Sequence, residues 1–365
     1  MKIVFVNSCP YLGGAEQWHL RTATAFLDRG HQVAMMARPG PLAERARAAG
    51  LPVITLPMSF DLDLRSLAAA FFFFRRQRPD LILLNDQREC RVIAPAAALA
   101  GVPVRAQRKG WPFLKGSWRD RLIYGRAVTH VIANSEHIAR IFRERSGLPE
   151  EKIKMIPNGV ELESFPDADP ELVVRKGFPE PCRVIGAAGR LVRQKGFLDL
   201  LEAAALLRRK KLAPYIMIAG EGGMKETIKL RASELGLSDR LILPGRIEDM
   251  PGFLSSLDVF AFPSYSEGRS NALAEALAAA RPIAATDIPG NDELIKNNET
   301  GLLVPPKNPP ALAEALQQLL TDRELASGLG RAGRAWAEQH LDSGLMLDEW
   351  EEHLHRLVSE ARGGG

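Results

Sequence analysis

Apolar runs of strand length recur along this chain, each followed by a segment of helical periodicity, and the whole alternation occurs twice. KIVFVNS reads as a buried strand, AEQWHLRTATAFLDRG as a helix ending at Gly30, and HQVAMMA as a second strand; DLILLN, PVRAQR, HVIANS and KIKMIPN continue the series. Near-continuous apolar strands joined by helices are the pattern of a parallel sheet covered on both faces. The rhythm pauses at FPDADPELVVRKGFPEPC, residues 165–182, whose four prolines and scattered charges read as a linker. It restarts with RVIGAAG, YIMIAGEG, RLILPG, DVFAFPS, PIAATD and GLLVPP, six more strand candidates. The expectation is an α/β protein of two doubly wound, Rossmann-like parallel-sheet domains, 1–165 and 183–343, facing a cleft and joined by a linker at 166–182. LMLDEWEEHLHRLVSEA, within 344–362, reads as an amphipathic helix that packs back on the first domain. Ligands of such sheets sit beyond the carboxyl ends of the strands.

Composition narrows the class. With 46% hydrophobic and 25% charged residues, 365 residues suffice for two separate cores. Cys9, Cys90 and Cys182 are far apart and lack CxxC spacing, which argues against a disulfide framework or a thiolate zinc site and for a reducing cytoplasm. The apolar stretch in MKIVFVNSCP is too short for a signal peptide, and LAAAFFFF is too short to span a membrane. Net charge is +4, yet residues 1–180 carry 26 Lys and Arg against 19 Asp and Glu, and residues 181–365 carry 22 against 25. Much of the excess lies in VRAQRKGWPFLKGSWRDRLIYGR, residues 104–126, where seven cations accompany Asp120 alone and alternate with Trp111, Phe113, Trp118 and Tyr124. Such a segment suits a phosphorylated acceptor or an anionic membrane, and equally a solvated loop and helix. No nucleic-acid recognition motif accompanies it.

Chemistry concentrates at strand ends. In SEGRSNALAEALAAARP, residues 266–282, Glu267 and Glu275 would lie about 80° apart around one continuous helix, too far for a shared site. Gly268, Ser270 and Asn271 are turn and cap types, however, and a helix is expected to begin near Asn271. One carboxylate then stands in the entry loop and one inside the helix, with free backbone amides between them to favour an anion. Two βα units earlier, GAAGRLVRQKG places Arg190 and Lys195 on another strand-to-helix loop, a natural clamp for a diphosphate. Together these residues describe a nucleotide-sugar site, with cations on the diphosphate and carboxylates on hydroxyls. After the first strand, Gly13-Gly14-Ala15-Glu16 permits close backbone approach to phosphate or sugar. No GxGxxG follows the first strand, which argues against a dinucleotide site there. Asp61-Leu62-Asp63 matches a metal-binding DxD, but its setting in DLDLRSLAAAFFFFRR reads as a helix start.

GRLVRQKG, IAGEG, LPGRIEDMPGFLSSLDVFAFPSYSEGRSNALAEALA, TDIPGNDELI and TGLLVPP closely resemble the nucleotide-sugar domain of retaining glycosyltransferases of family four, which have the GT-B fold and an E-x7-E pair. GGAE and IPNGVELESF resemble the N-terminal half of the same family. The resemblance implies that Arg190 and Lys195 contact the donor diphosphate, Glu275 the ribose and Glu267 the transferred sugar. It also implies that Gly268 and the amides of Ser270, Asn271 and Ala272 reach sugar and phosphate, that Ile247 frames the base, and that Gly13 and Gly14 close over the donor. A nucleoside-diphosphate sugar, UDP-linked by preference, would be substrate rather than cofactor, and no metal would be obligatory. A histidine often found after the fourth strand of the first domain is replaced here in AQRKG by Arg108 and Lys109. With Asp86, these are assigned to an acceptor pocket for a glycan or lipid-linked substrate, in a protein of the cytoplasm that reaches the inner face of the cell membrane. The rivals are a sugar-nucleotide epimerase or a phosphorylase on the same architecture, and a non-catalytic nucleotide-sugar-binding subunit.

Overall fold

The computed structural model describes residues 1–61, 63–165 and 182–363. Two units emerge: Met1–Asn158 with the residues from Leu345 onward, and Gly159–Gly344. The first contains β1 (Lys2–Asn7), β2 (Gln32–Ala37), β3 (Val53–Thr55), β4 (Leu81–Leu84), β5 (Val104–Lys109), β6 (His130–Ala133) and β7 (Ile153–Met155). Its helices are α1 (Gly14–Asp28), α2 (Pro41–Ala48), α3 (Leu64–Gln77), α4 (Gln87–Leu99), α5 (Trp118–Leu122) and α6 (Glu136–Arg145). In the second unit the strands are β8 (Val184–Ala188), β9 (Tyr215–Ala219), β10 (Leu241–Gly245), β11 (Val259–Phe262), β12 (Ile283–Thr286) and β13 (Leu302–Val304). Around them lie α7 (Phe197–Arg209), α8 (Lys225–Glu234), α9 (Met250–Ser255), α10 (Asn271–Ala278), α11 (Pro309–Thr321) and α12 (Arg323–His340), before the closing helix α13 (Ser343–Gly363).

Both sheets are parallel throughout, ordered β3-β2-β1-β4-β5-β6-β7 and β10-β9-β8-β11-β12-β13. Each chain segment starts in mid-sheet, steps outward for three strands, then returns to the far side of its first strand. The connections leaving β1 and β4, and those leaving β8 and β11, therefore diverge and open a crevice at the carboxyl edge. All four residues of β4 and of β11 are buried, as a sheet covered on both faces requires. Alternate residues feed opposite layers: Ile3 and Phe5 join one core cluster, Val4 and Val6 the other.

Helix α13 belongs to the first unit's core, where Trp350, Leu354, Leu357 and Val358 are buried and the Trp350 ring lies 4.9 Å from that of Trp18. On α3 the four consecutive phenylalanines split as 100° per residue demands: Phe74 is buried, Phe71 and Phe73 pack partly, and Phe72 is 70% exposed. Residues 159–165, assigned from sequence to the first domain, sit with the second unit because Val160 and Phe165 are buried in its core and Val160 N donates to Leu341 O at 2.7 Å. The interval read as a linker lies, apart from Cys182, outside the described residues. Among those described, no helix is long and apolar enough to cross a membrane.

Candidate active site

At the switch point of the second sheet, the loops leaving β8 and β11 are laced together. Tyr265 N donates to Gln194 O at 2.8 Å, and Gln194 Nε2 donates to Ser266 O at 2.6 Å. Beside these bonds Lys195 Nζ stands 2.7 Å from Glu267 Oε1, with 14% and 8% of the two side chains exposed. The two side chains form a buried ion pair. The face of Phe262, at the end of β11, supports the ammonium 4.9 Å from the ring centroid. Close approach of the loops depends on Gly196, which has φ of 65° and a Cβ position only 2.0 Å from Pro263 O. The loop after β12 joins them through Gly290 (φ 94°), whose Cβ would meet Gly268 O at 1.9 Å.

Ser270 is the N-cap of α10, accepting from Leu273 N at 3.4 Å, and the helix starts at Asn271 as its sequence suggests. Glu267 is thus in the entry loop and Glu275, half-buried, inside the helix. The amides of Asn271 and Ala272 belong to the first turn, where no intrahelical acceptor exists. Arg190 is exposed on the β8 loop, and Ile247 is half-buried against the core between β10 and α9. Tyr265 Oη donates to Asp199 Oδ1 at 2.8 Å, fastening the β11 loop to the first turn of α7; burial, then this carboxylate, pushes the phenol up to about 12. Gln194, Phe262 and Tyr265 carried no signal in the sequence. Nor did Arg269, whose side chain is 8% exposed and lies 4.0 Å from Glu293.

In the first unit, Gly13 is the N-cap of α1, and its amide donates to Glu16 Oε2 at 2.9 Å while Asn85 Nδ2 donates to Glu16 Oε1 at 3.3 Å. Asp86 caps α4, accepting from Gln87 N at 2.7 Å. Buried Glu89 accepts from Ser8 N (2.6 Å), Asn85 N (2.5 Å) and Asp86 N (3.0 Å), which stitches the exits of β1 and β4. Burial pushes its carboxyl up to about 8 against the pull of these amides. The D-x-x-E spacing of Asp86 and Glu89 is a readable capping box, so this residue had a signal.

The basic segment 104–126 divides. Residues 104–109 form β5, largely buried, and the exposed residues of the segment all lie beyond Lys109. Arg108 and Lys109 end that strand at 3% and 5% exposure. The Arg108 guanidinium lies 4.6 Å from the Trp18 ring centroid and donates through Nη2 to Asn158 Oδ1 at 3.0 Å. Lys109 Nζ is 5.8 Å from the Phe142 ring centroid. Burial lowers both basic groups, Arg108 to about 10. His19, on α1, is buried and held neutral, its pKa lowered to about 3 by burial and then by Arg108. The helix-start residues behave as read: Asp63 caps α3 through Ser66 N at 3.0 Å, and Asp61 pairs with Arg91 at 3.1 Å.

Family models match nearly end to end: "Glycosyltransferase Family 4" over residues 12–164 and "Glycosyl transferases group 1" over 169–336. Similar curated proteins include the Escherichia coli UDP-Gal:alpha-D-GlcNAc-diphosphoundecaprenol alpha-1,3-galactosyltransferase, 26% identical and covering 89% of each chain. The capsular polysaccharide biosynthesis glycosyltransferase CapM of Staphylococcus aureus is 24% identical over 84% of this chain and 86% of its own. In fold, Anabaena Alr3699/HepE in complex with UDP superposes with a TM-score of 0.82 at 21% identity, over 98% of this chain and all of that one. The chain is therefore a member of the family-four glycosyltransferases, enzymes built on the GT-B pair of Rossmann-like domains.

Proposed function

We propose that this enzyme is a retaining transferase that takes a nucleoside-diphosphate sugar, UDP-linked by preference, and moves the sugar to a glycan or lipid-linked acceptor of cell-surface polysaccharide or lipopolysaccharide. The observation that carries this reading is the contact of Lys195 with Glu267 at the switch point, in the loop that enters α10. A donor bound there meets Lys195 and Arg190 at its diphosphate, Glu275 at its ribose and Glu267 at its sugar. Charge that develops on the leaving phosphate is stabilised by groups already in place, which is the largest catalytic effect such a site supplies. With attack on the face of departure, the leaving phosphate takes the acceptor proton. The UDP of the HepE structure and the UDP-galactose and lipid diphosphate in the name of the E. coli relative support donor and acceptor class.

The test is incubation of purified protein with a panel of nucleotide sugars. Slow release of nucleoside diphosphate from one of them is expected. An altered nucleotide sugar without release would identify an epimerase, and binding without turnover a non-catalytic subunit; either overturns the proposal. Chelator is expected to leave the rate unchanged, because Asp61 and Asp63 are engaged with Arg91 and the start of α3. Complete loss restored by manganese contradicts that.

Membrane contact is part of the proposal. Trp111 (36%), Phe113 (50%), Trp118 (70%) and Leu122 (45%) are exposed together with Lys115, Arg119 and Arg121. Aromatics can enter a lipid interface while each nearby cation adds about 1 kcal/mol against anionic headgroups. The protein is expected to co-sediment with anionic vesicles at low salt, to leave them at high salt, and to lose binding when these three cations become serine. Equal partitioning of native and variant protein would remove membrane contact through this segment.

A further inference from the structure

β5 delivers two successive cations to the carboxyl edge of the first sheet, and both are buried. Among the described residues neither Arg108 nor Lys109 has a carboxylate within ion-pair distance. Arg108 is held by neutral groups, the Trp18 ring and the Asn158 amide, and its Nε donates to nothing. The acids that act on the two cations are engaged elsewhere: Glu16 with Gly13 N and Asn85 Nδ2, Asp86 with the start of α4, Glu89 with three amides. A buried charge without a partner costs several kcal/mol, and a ligand of opposite charge removes that cost. Successive strand residues face opposite sides of a sheet, yet Arg108 folds forward past the end of β5, over Gly110. A Cβ on Gly110 would lie 3.0 Å from Arg108 Nη1, so the missing side chain leaves the guanidinium its place. Arg108 and Lys109 thus end β5 on its two faces, Arg108 against Trp18 and Lys109 towards Phe142, at the edge where ligands of such sheets sit.

Resting on the proposed assignment of this unit to the acceptor, we infer that Arg108 and Lys109 bind a phosphate or diphosphate group carried by the acceptor itself. A phosphorylated sugar and a lipid diphosphate share this chemistry. The test is calorimetric titration of the full-length protein with pyrophosphate, UDP being held at saturation to occupy the second unit. One further pyrophosphate is expected to bind, and Lys109→Met and Arg108→Gln are each expected to weaken it about tenfold or more. Lys109→Met should melt at or above the native temperature, because it removes an unpaired buried charge, and pyrophosphate should raise the melting temperature of native protein alone. Glucose 1-phosphate and a short prenyl diphosphate, titrated in parallel, tell the two sources apart. Absence of pyrophosphate uptake by native protein, or uptake undiminished in Lys109→Met, overturns the inference. Failure of UDP to bind is a separate result: it counts against the donor assignment and leaves the pyrophosphate titration, run without UDP, readable.

Discussion

Replacing Lys195 with alanine is expected to lower donor turnover about a hundredfold or more, the usual loss when one preorganised charge-stabilising group is removed. Its ammonium is oriented from two sides, by Glu267 at 2.7 Å and by the Phe262 ring at 4.9 Å. The substitution also leaves Glu267 buried without its counter-charge, which costs up to about 3 kcal/mol of stability. Pairing it with Glu267→Gln separates the two effects. The double variant should regain much of the melting temperature and none of the activity. Turnover that stays within a few-fold of native in a folded Lys195→Ala protein would remove this residue from the chemistry.

Gly196→Ala is expected to destabilise the second unit by about 2–4 kcal/mol, combining a left-handed backbone with a collision. The atom in the way is Pro263 O, 2.0 Å from the new Cβ, and a backbone carbonyl cannot turn aside as a side chain can. Relief requires the β8 and β11 loops to part, and that separates Lys195 from Glu267. A misplacement of about 1 Å at a reacting centre costs about a hundredfold in rate, so activity should fall further than stability alone explains. Gly223→Ala, with nothing within 4 Å of its Cβ position, is the control and should melt like the native protein. Equal melting temperatures for the two variants would show that the loops are not in the contact described.

Much of this architecture was legible because buried strands leave apolar runs; all six strands of the second unit were read from such runs, the edge strand β10 among them although it is only part-buried. β3 escaped: VIT is a short, half-buried edge strand between Pro52 and Pro57, with too few residues to show a period. The placement of Glu267 outside α10 was legible from cap residues, whose preference acts locally. The contact of Lys195 with Glu267 was not legible from spacing. It arises because the strand order sets β11 beside β8, bringing together loops 72 positions apart in the neighbouring Gln194 to Ser266 bond. Arg108 and Lys109 were seen as basic but not as buried. Their cover comes from Trp18 on α1 and Phe142 on α6, and no local pattern announces such distant packing.

In the proposed reaction, sugar leaves a nucleoside diphosphate at the β8 and β11 loops and is transferred with retention. Proton NMR of the anomeric signals, during turnover of an α-linked nucleotide sugar by the purified enzyme, tests it most directly. Product is expected to appear first as the α anomer, and this signal to be lost in Lys195→Ala. A β anomer appearing first, or an α signal undiminished in that variant, would contradict it.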